Sequence, residues 1–540
     1  MIEKKKKSSL RARMQPPPSR LVSTIYGPVE GLRLVDEGER SVDAFLGVPY
    51  AKPPVGELRF RKPQPPTEWT SVLHTKKLPP RCIQEVMPML PDPEAAKSED
   101  SLYLNVFTPT WQPPEGGFPV MVFVHGGGFV YGDSRTYGDV GICGHLATKD
   151  VVVIVIQYRL GYLGFFSTGD STCPGNLGLW DQTEALKWTR DNIAAFGGNP
   201  NNVTVFGQSA GGASVELLLL SPHSQGLFHN AIPMAGAAYC PWVMNSKVAE
   251  HCRAYAAELG VTEKDSEKML EELRKLPAQL LAAKTGWDYT SGAFVFDTTP
   301  VLYGDFLPAP LEELRKKAPR KPLLTGIAKL ESNYTLVVMT TQPTVASLRR
   351  QIGRILPESL PGKDDVIEKL LHEEYGIDDA TSDMAKIKRA YAEALSDEQF
   401  NVGFYRMLAA FDAAGWEAPI YSYVFEHFNR DAYGQFAKDV EIQEPGHATE
   451  LPYLFGTCYF NKAPLAGEEN FAMLEQFSTA FTNFAKYGDP NGAASAPLPL
   501  AWPPVASASL ETHFVFAREP RVERQLFGGR LARIAKYFDD

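Results

Sequence analysis

The residues best suited to chemistry are Gly207, Ser209 and Gly211, which form a Gly-x-Ser-x-Gly pattern. A β-branched run at residues 203–206 precedes them and an apolar run at 213–220 follows, so the pattern predicts a strand, a sharp turn and a helix. Such a turn exposes the serine hydroxyl, while the two glycines leave room for neighbouring backbone. The pattern therefore predicts a serine nucleophile that attacks acyl esters.

A second glycine-rich turn lies upstream, where a predicted strand at residues 120–124 runs into His125 and three glycines at 126–128. Consecutive glycines are costly to order, and they suit a loop whose backbone N–H groups face a ligand. In α/β-hydrolases such a loop donates hydrogen bonds to the tetrahedral oxyanion, together with the residue after the nucleophile, here Ala210. The two turns together predict an oxyanion hole.

The nucleophile needs a base, and the expected chain order is serine, then acid, then histidine. The histidines in the last third of the chain are His372, His427, His447 and His513. His372 lies in a charged amphipathic run and His513 in a short strand, so both are expected at the surface. His427 and His447 follow the predicted strand at 420–425, and the loop position of His447 favours it over His427.

The acid is less sharply defined by the residues alone. Glu331 lies just past a predicted strand at residues 322–328, which would place its carboxylate on the ligand-binding rim of a parallel sheet. Asp297 and Asp305 carry the same chemistry and compete with it. The residues alone leave these three alternatives open.

The chain resembles the type B carboxylesterases, the animal group that also contains cholinesterases and neuroligins. The resemblance covers nearly the whole chain, from about residue 24 to about residue 503. It rests on ordered matches at residues 45–56, 58–60, 98–106, 175–182, 207–211 and 481–490. So many matches in the same order are highly specific.

The resemblance implies which residues do the chemistry. It makes Ser209 the nucleophile, Glu331 the acid in a Gly-x-x-x-x-Glu motif, and His447 the base in a Gly-His-x-x-Glu motif. The chemistry of such a triad requires no metal and no cofactor. The oxyanion donors that the resemblance implies are the N–H groups of Gly127, Gly128 and Ala210.

The resemblance also implies two ion pairs, Arg59 with Glu99 and Arg159 with Asp181. Charged groups inside such motifs are more often paired for burial than used in chemistry. We therefore interpret these four residues as architecture.

Two departures from the family pattern bear on the substrate. Residue 208 is commonly Glu in this family but is Gln here, so one negative charge near the scissile bond is missing. The stretch at residues 83–100, where cholinesterases carry a tryptophan for cation–π contact with choline, holds no aromatic residue. We therefore expect neutral esters with an apolar acyl chain rather than choline esters.

The cysteines bear on the compartment. Cys82 matches the first cysteine of a family disulfide, but its expected partner is Ser101. The six cysteines show neither a disulfide framework nor a metal-site spacing, and unpaired thiols suit a reducing compartment.

The N-terminal residues and the apolar runs also bear on the location of the protein. The first residues are basic without an apolar core, unlike a secretory signal, and the longest apolar run, residues 151–156, is too short to span a bilayer. The expected location is the cytoplasm.

Length and composition predict one large domain. The chain has 540 residues, of which 44% are hydrophobic and 22% charged, and a net charge of −10 that disfavours nucleic acid as a partner. We predict a basic, proline-containing disordered tail at residues 1–20 and a single domain at 21–540. The expected fold is the α/β-hydrolase fold, with a large, mostly parallel central sheet flanked by helices. Cap excursions near 246–285 and 343–414 are expected over the active-site gorge.

Three functions follow from these expectations. The first is hydrolysis of carboxylic esters through an acyl-serine intermediate. The second is acyl transfer from the same intermediate to an acceptor other than water, which the sequence does not separate from hydrolysis. The third, a neuroligin-like binding protein, fits less well because all three triad residues are present. The physiological substrate and the oligomeric state are left open.

Overall fold

The structure, a computed structural model, describes residues 16–37, 40–85, 92–282, 288, 290–456, 465–493 and 498–538. Its strands alternate with helices through most of this length. The strands are β1 Pro18–Ser23, β2 Pro28–Glu37, β3 Arg40–Pro49, β4 Leu73–His74, β5 Arg81–Cys82, β6 Lys97–Ser98, β7 Tyr103–Pro109, β8 Phe118–Val124, β9 Val152–Ile156, β10 Gly198–Gln208, β11 Asn230–Met234, β12 Leu323–Ala328, β13 Ile420–Phe425, β14 His513–Phe516 and β15 Arg521–Glu523.

Most of the helices lie between these strands, and the last one follows β15. They are α1 Val140–His145, α2 Gly161–Phe165, α3 Leu177–Asn192, α4 Ala210–Leu220, α5 Val248–Glu258, α6 Ser266–Lys275, α7 Leu311–Lys317, α8 Thr335–Val338, α9 Val345–Ile355, α10 Lys363–Glu373, α11 Met384–Ser396, α12 Val402–Ala413, α13 Pro452–Phe455, α14 Glu468–Tyr487 and α15 Arg530–Ala535. A π-helical segment, Asp397–Asn401, joins α11 to α12. No helix in the described ranges is long and apolar enough to cross a membrane.

Thirteen strands form one sheet, in the order β1-β2-β3-β7-β9-β8-β10-β11-β12-β13-β14-β15, with β4 paired to β2. The part from β9 to β14 is parallel throughout. Antiparallel pairs flank it, on one side from β1 to β9 and on the other between β14 and β15. The predicted mostly parallel sheet flanked by helices is confirmed. Because the parallel strands end at one edge, the turns that follow β8, β10 and β12 meet there.

Both faces of the sheet are covered, because successive strand residues point to opposite sides. On β8, Val122 packs into one hydrophobic cluster and Phe123 into the other. On β9, Ile154 and Val155 divide in the same way. Burial on both sides explains why these strands read as continuous apolar runs rather than as alternating patterns.

The two cap excursions contain the helices expected of them. The first holds α5 and α6 before residues 283–287, which lie outside the described ranges, and the second holds α9 to α12. The predicted tail lies outside the described ranges up to residue 15, and its disorder stays a prediction. Its boundary is three residues too late, because residues 18–20 already belong to β1. The guanidinium of Arg20, which donates to the carbonyl of Phe196 at 2.7 Å, helps to hold this strand.

Both predicted ion pairs form. Arg59 binds Glu99 through two hydrogen bonds of 2.5 and 2.8 Å, and Arg159 binds Asp181 through two side-chain bonds of 2.7 Å. The Arg159–Asp181 pair is fully buried, and Asp181 also accepts from the backbone N–H of Arg159 at 3.0 Å. Neither pair includes a predicted catalytic residue, which supports their interpretation as architecture.

Candidate active site

Ser209 lies in the sharp turn between β10 and α4, with φ 61° and ψ −126°. A Cβ at Gly207 would come within 2.5 Å of the backbone of Gly211, and one at Gly211 within 2.0 Å of the carbonyl oxygen of Val124. The backbone N–H of Ser209 donates to the carbonyl of Met234 at 2.9 Å and ties the turn to β11. The predicted strand, turn and helix are therefore present, and both glycines are needed for close backbone approach.

The glycine loop after β8 reaches the same edge of the sheet. Gly127 and Gly128 have φ values of 110° and 58°, which glycine adopts without the strain a side chain would add. Ala210 is the first residue of α4, so its N–H has no acceptor within the helix. In the described part of the chain, none of these three N–H groups donates a hydrogen bond to another backbone group.

Glu331 and His447 are paired. The imidazole Nδ1 lies 2.7 Å from Glu331 Oε2, and both side chains are almost completely buried. The other carboxylate oxygen of Glu331 accepts from the backbone N–H of Ala328 at 2.6 Å, at the end of β12. The backbone N–H of His447 donates in turn to the carbonyl of Glu331 at 2.8 Å. Because Nδ1 donates to the carboxylate, Nε2 carries the lone pair that a general base needs.

The competing acids and the competing base have other partners. Asp297 lies 3.5 Å from the imidazole of His251, and Asp305 forms an ion pair with Lys62. His427 follows β13 as predicted, but its Nε2 contacts Asn470 Oδ1 at 2.8 Å. The alternatives that the sequence left open therefore have partners other than the predicted triad residues.

The two histidines that were expected at the surface differ in solvent exposure. His372 is exposed on α10, as predicted. His513 is 2% exposed, so the expectation of a surface position is wrong. It begins β14, which pairs with β13 and β15 and is therefore covered from both sides. Burial lowers the pKa of His513, and its Nδ1 contacts the carbonyl of Glu511 at 2.7 Å.

Gln208 lies beside the imidazole of His447. Its amide nitrogen is 3.3 Å from Nε2 and 3.4 Å from Nδ1 of the ring, and Gln208 is buried. No hydrogen bond joins the Ser209 hydroxyl to His447 in the described structure. A neutral amide therefore contacts the imidazole next to the predicted nucleophile.

An aromatic cluster, which the sequence did not reveal, adjoins the site. It consists of Trp242, Phe294, Phe296 and Phe400, with ring centroids of neighbouring members 5.8 to 6.4 Å apart. The ring of Phe296 covers the glycine loop, since a Cβ at Gly128 would lie 2.1 Å from it. The members come from three separate segments, and no spacing along the chain indicates that they meet. The cluster gives one side of the site an apolar wall.

Phe400 links this cluster to the histidine. Its ring centroid lies 4.4 Å from that of His447, at an interplanar angle of 32°. Phe400 belongs to the π-helical segment Asp397–Asn401 in the second cap excursion. Single π-helical turns inside helices occur often at functional sites. The second excursion therefore contacts the predicted base directly.

Glu450 is a second buried carboxyl group near Glu331. It is 2% exposed, and its Oε2 has no hydrogen-bond partner among the described residues. Burial, and secondarily the charge of Glu331, raise the pKa of Glu450 from 4.5 to about 8. The Gly-His-x-x-Glu motif contains this residue, but the motif does not indicate that it is buried beside the acid.

His125 packs at the start of the glycine loop. Its ring stacks on Tyr158 with centroids 4.4 Å apart, and its Nδ1 contacts the carbonyl of Gly126 at 2.8 Å. Burial lowers the pKa of His125 to about 4, so its ring is neutral at physiological pH. We interpret His125 as a packing residue at the start of the loop.

A cavity of about 840 Å³ opens elsewhere, with Phe60, Trp180 and Tyr303 among its lining residues. None of the six predicted site residues lines it. The ammonium of Lys62 lies over the ring of Trp180, 3.8 Å from its centroid, and is paired with Asp305. The volume of a cavity alone therefore does not identify the active site of this protein.

Comparisons with known proteins agree with the geometry. A profile of the Carboxylesterase family matches residues 18–533. Esterase cest-33 of Caenorhabditis elegans is 41% identical over 484 residues, which cover 86% of this chain and 85% of that protein. Pyrethroid hydrolase Ces2e of Rattus norvegicus is 34% identical over 534 residues, covering 94% and 88% of the two chains. Liver carboxylesterase 1 of Mus musculus is 35% identical over 511 residues, covering 87% and 86%.

These relatives are named as esterases and hydrolases, so they favour hydrolysis over acyl transfer and over a purely binding role. The match extends across almost the whole chain and includes the sheet and both cap excursions. The chain belongs to the carboxylesterase family and is a serine carboxylic ester hydrolase with the α/β-hydrolase fold.

Proposed function

We propose that Ser209 is the nucleophile of this esterase, His447 its general base and Glu331 the acid that orients the base. The observation that supports these roles most strongly is the 2.7 Å contact between His447 Nδ1 and Glu331 Oε2. The two residues are 116 positions apart in the sequence, so no local turn requires them to pair. The strained turn at Ser209 adds support, because such conformations cluster at active sites.

In the proposed mechanism, Ser209 attacks the ester carbonyl while His447 Nε2 takes its proton. Glu331 stabilises the imidazolium that forms. The N–H groups of Gly127, Gly128 and Ala210 donate to the oxyanion. Collapse expels the alcohol, protonated by His447, and leaves an acyl-serine. A water molecule activated by the same histidine then hydrolyses this ester and restores the hydroxyl.

We propose that the preferred substrates are neutral esters with an apolar acyl group. The aromatic cluster of Trp242, Phe294, Phe296 and Phe400 supports this, because it forms an apolar wall between the glycine loop and His447. Gln208 supports it as well, since a neutral amide next to Ser209 offers no attraction to a cationic alcohol. Among the relatives, one is named a pyrethroid hydrolase and another a medium-chain fatty acyl-CoA hydrolase precursor.

The direct test of the nucleophile is Ser209→Ala, assayed on a neutral chromogenic ester. We expect kcat to fall by roughly a millionfold, as is typical for loss of a triad nucleophile, with an unchanged circular dichroism spectrum. Ser214→Ala is the matched control, because Ser214 lies in α4 and contacts Gln182 rather than the site. Retention of turnover in a pure, folded Ser209→Ala preparation would refute the assignment.

A second prediction tests the substrate class. Gln208→Glu places a negative charge beside the imidazole of His447, next to the proposed nucleophile. We expect kcat/KM for a choline ester, relative to its uncharged isostere, to rise about fivefold, which corresponds to roughly 1 kcal/mol of charge attraction. Measuring both esters with both proteins gives this ratio directly. An unchanged ratio would count against the electrostatic explanation of the preference.

We also propose that the protein works in a reducing compartment, the cytoplasm. The support is Cys82, whose thiol lies beside Ser101 rather than a second cysteine. The five cysteines in the described ranges are free, buried thiols, and Cys458 lies outside those ranges. Cell fractionation with an antibody to the protein tests the proposal, and recovery in a secretory fraction would contradict it.

A further inference from the structure

Gln399, in the π-helical segment, holds two members of the aromatic cluster. The indole N–H of Trp242 donates to the backbone carbonyl of Gln399 at 2.7 Å, and the backbone N–H of Phe294 donates to the side-chain oxygen of Gln399 at 3.0 Å. These partners lie 157 and 105 positions from Gln399 in the sequence, so no local turn requires either bond. Gln399 is 1% exposed, so it joins the two segments in the interior of the protein.

The other end of the Gln399 side chain is also bonded, which fixes the orientation of the amide. The Gln399 amide hydrogen bonds to the carboxylate of Glu398, which accepts a second hydrogen bond from Gln351 at 2.6 Å. Because a carboxylate accepts and a backbone N–H donates, the amide nitrogen faces Glu398 and the amide oxygen faces Phe294. Both neighbours therefore orient the side-chain oxygen toward the Phe294 N–H.

The cluster held in this way reaches both parts of the proposed catalytic machinery. Phe400 packs on His447 with ring centroids 4.4 Å apart. At the other end, Phe294 stacks on Phe296 with centroids 5.8 Å apart, and a Cβ at Gly128 would lie 2.1 Å from the Phe296 ring. An ester carbonyl whose oxygen faces the glycine loop therefore places its acyl group beside these rings.

We propose that Gln399 is a positioning residue that sets the width of the acyl side of the site, by holding Trp242 and Phe294 in place around Phe400. This role rests on the function proposed above, and it assigns the limit on acyl size to a residue outside the aromatic cluster. A buried polar side chain whose hydrogen bonds are all satisfied makes its surroundings rigid. Without the bond to Gln399, the segment that carries Phe294 and Phe296 has one restraint fewer, and we expect it to admit a larger acyl group.

The test is Gln399→Met, and the readout is the ratio of kcat/KM for nitrophenyl pivalate to kcat/KM for nitrophenyl acetate. Methionine is of similar length but offers no acceptor to the Phe294 N–H, whereas the backbone carbonyl that binds Trp242 is kept. We expect the ratio to rise about tenfold, which is the size of effect that one methylene group has in an apolar pocket. An unchanged or lower ratio in the folded variant would overturn the proposal.

The matched control is Gln351→Met. Gln351 is a buried residue of α9 that donates to the same carboxylate, that of Glu398. Both variants therefore lose a hydrogen bond to Glu398, but only Gln399→Met loses the bond to Phe294. We expect the control to keep the wild-type ratio. An equal rise in the control would mean that general loosening of the second cap excursion explains the effect, and it would contradict the proposal.

Hydrogen exchange provides a readout that does not require a variant to fold. In the wild type, the Phe294 amide hydrogen should exchange slowly, because it is bonded to a buried acceptor, and in Gln399→Met it should lose this protection. Fast exchange of this amide in the wild type would overturn the proposal, even if Gln399→Met fails to fold.

Failure of the proposed function would be seen separately. A folded wild type that neither hydrolyses these esters nor reacts with a fluorophosphonate would overturn the proposed function and, with it, the role of Gln399. An active wild type whose pivalate-to-acetate ratio is unchanged by Gln399→Met would overturn the role of Gln399 alone.

Discussion

At the scale of single residues, Ser209 is distinguished by its backbone as much as by its hydroxyl. Its φ of 61° and ψ of −126° lie in a sparsely populated region, which costs about 1–3 kcal/mol. The surroundings enforce this conformation, since a Cβ at Gly236 would lie 2.0 Å from the carbonyl oxygen of Ser209. The Gly-x-Ser-x-Gly pattern was sufficient to predict this turn, because a conformation so constrained requires glycines at fixed positions.

The acid can be tested at the same scale. Glu331→Gln keeps the shape of the side chain but can present an amide N–H to His447, which favours the wrong imidazole tautomer. We expect kcat to fall by about 10⁴-fold, as for the equivalent change in other serine triads, and the protein to stay folded. Asp297→Asn and Asp305→Asn are the matched controls and should retain activity. A larger loss in either control than in Glu331→Gln would reassign the acid.

At the scale of elements, the position of His447 depends on a loop that carries no regular structure around it. Asn333 anchors this loop, since its amide donates to the carbonyls of Ile442 at 2.9 Å and Glu444 at 2.8 Å. It also donates to the hydroxyl of Tyr433 at 3.0 Å. The sequence predicted a loop with a histidine. It did not indicate these hydrogen bonds, because they join segments about a hundred residues apart and no sequence motif contains both partners.

Replacement of Asn333 tests whether the position of His447 depends on this loop anchor. Asn333→Ala removes one hydrogen bond from each of two part-buried carbonyl groups, those of Ile442 and Glu444, which should cost about 1–3 kcal/mol in the free energy of unfolding. Because the loop carries His447, the proposed base, we also expect kcat to fall by roughly tenfold to a hundredfold. The control is Asn230→Ala, since Asn230 is also buried and bonds Thr204 at the amino end of the sheet. An equal loss of kcat in both variants would mean that general destabilisation, not loop position, explains the effect.

At the scale of the whole molecule, the parallel sheet and its flanking helices were predictable from alternating strand and helix patterns and from the family resemblance. The antiparallel edges, and the burial of His513 between β13 and β15, were not, because neighbours in the sheet are distant in the chain. The aromatic cluster beside the site could not be predicted for the same reason. Motifs indicate the proposed triad residues, whereas the side chains that surround them come from several distant segments of the chain.

The central claim is that Ser209 is an activated nucleophile, and the most direct measurement is the intact mass of the protein after brief exposure to a fluorophosphonate. This probe reacts with activated serines whatever the natural substrate. We predict one adduct on the wild type and none on Ser209→Ala. The absence of an adduct on folded wild type, or an undiminished adduct on the variant, would contradict the claim that the turn between β10 and α4 carries the reacting group.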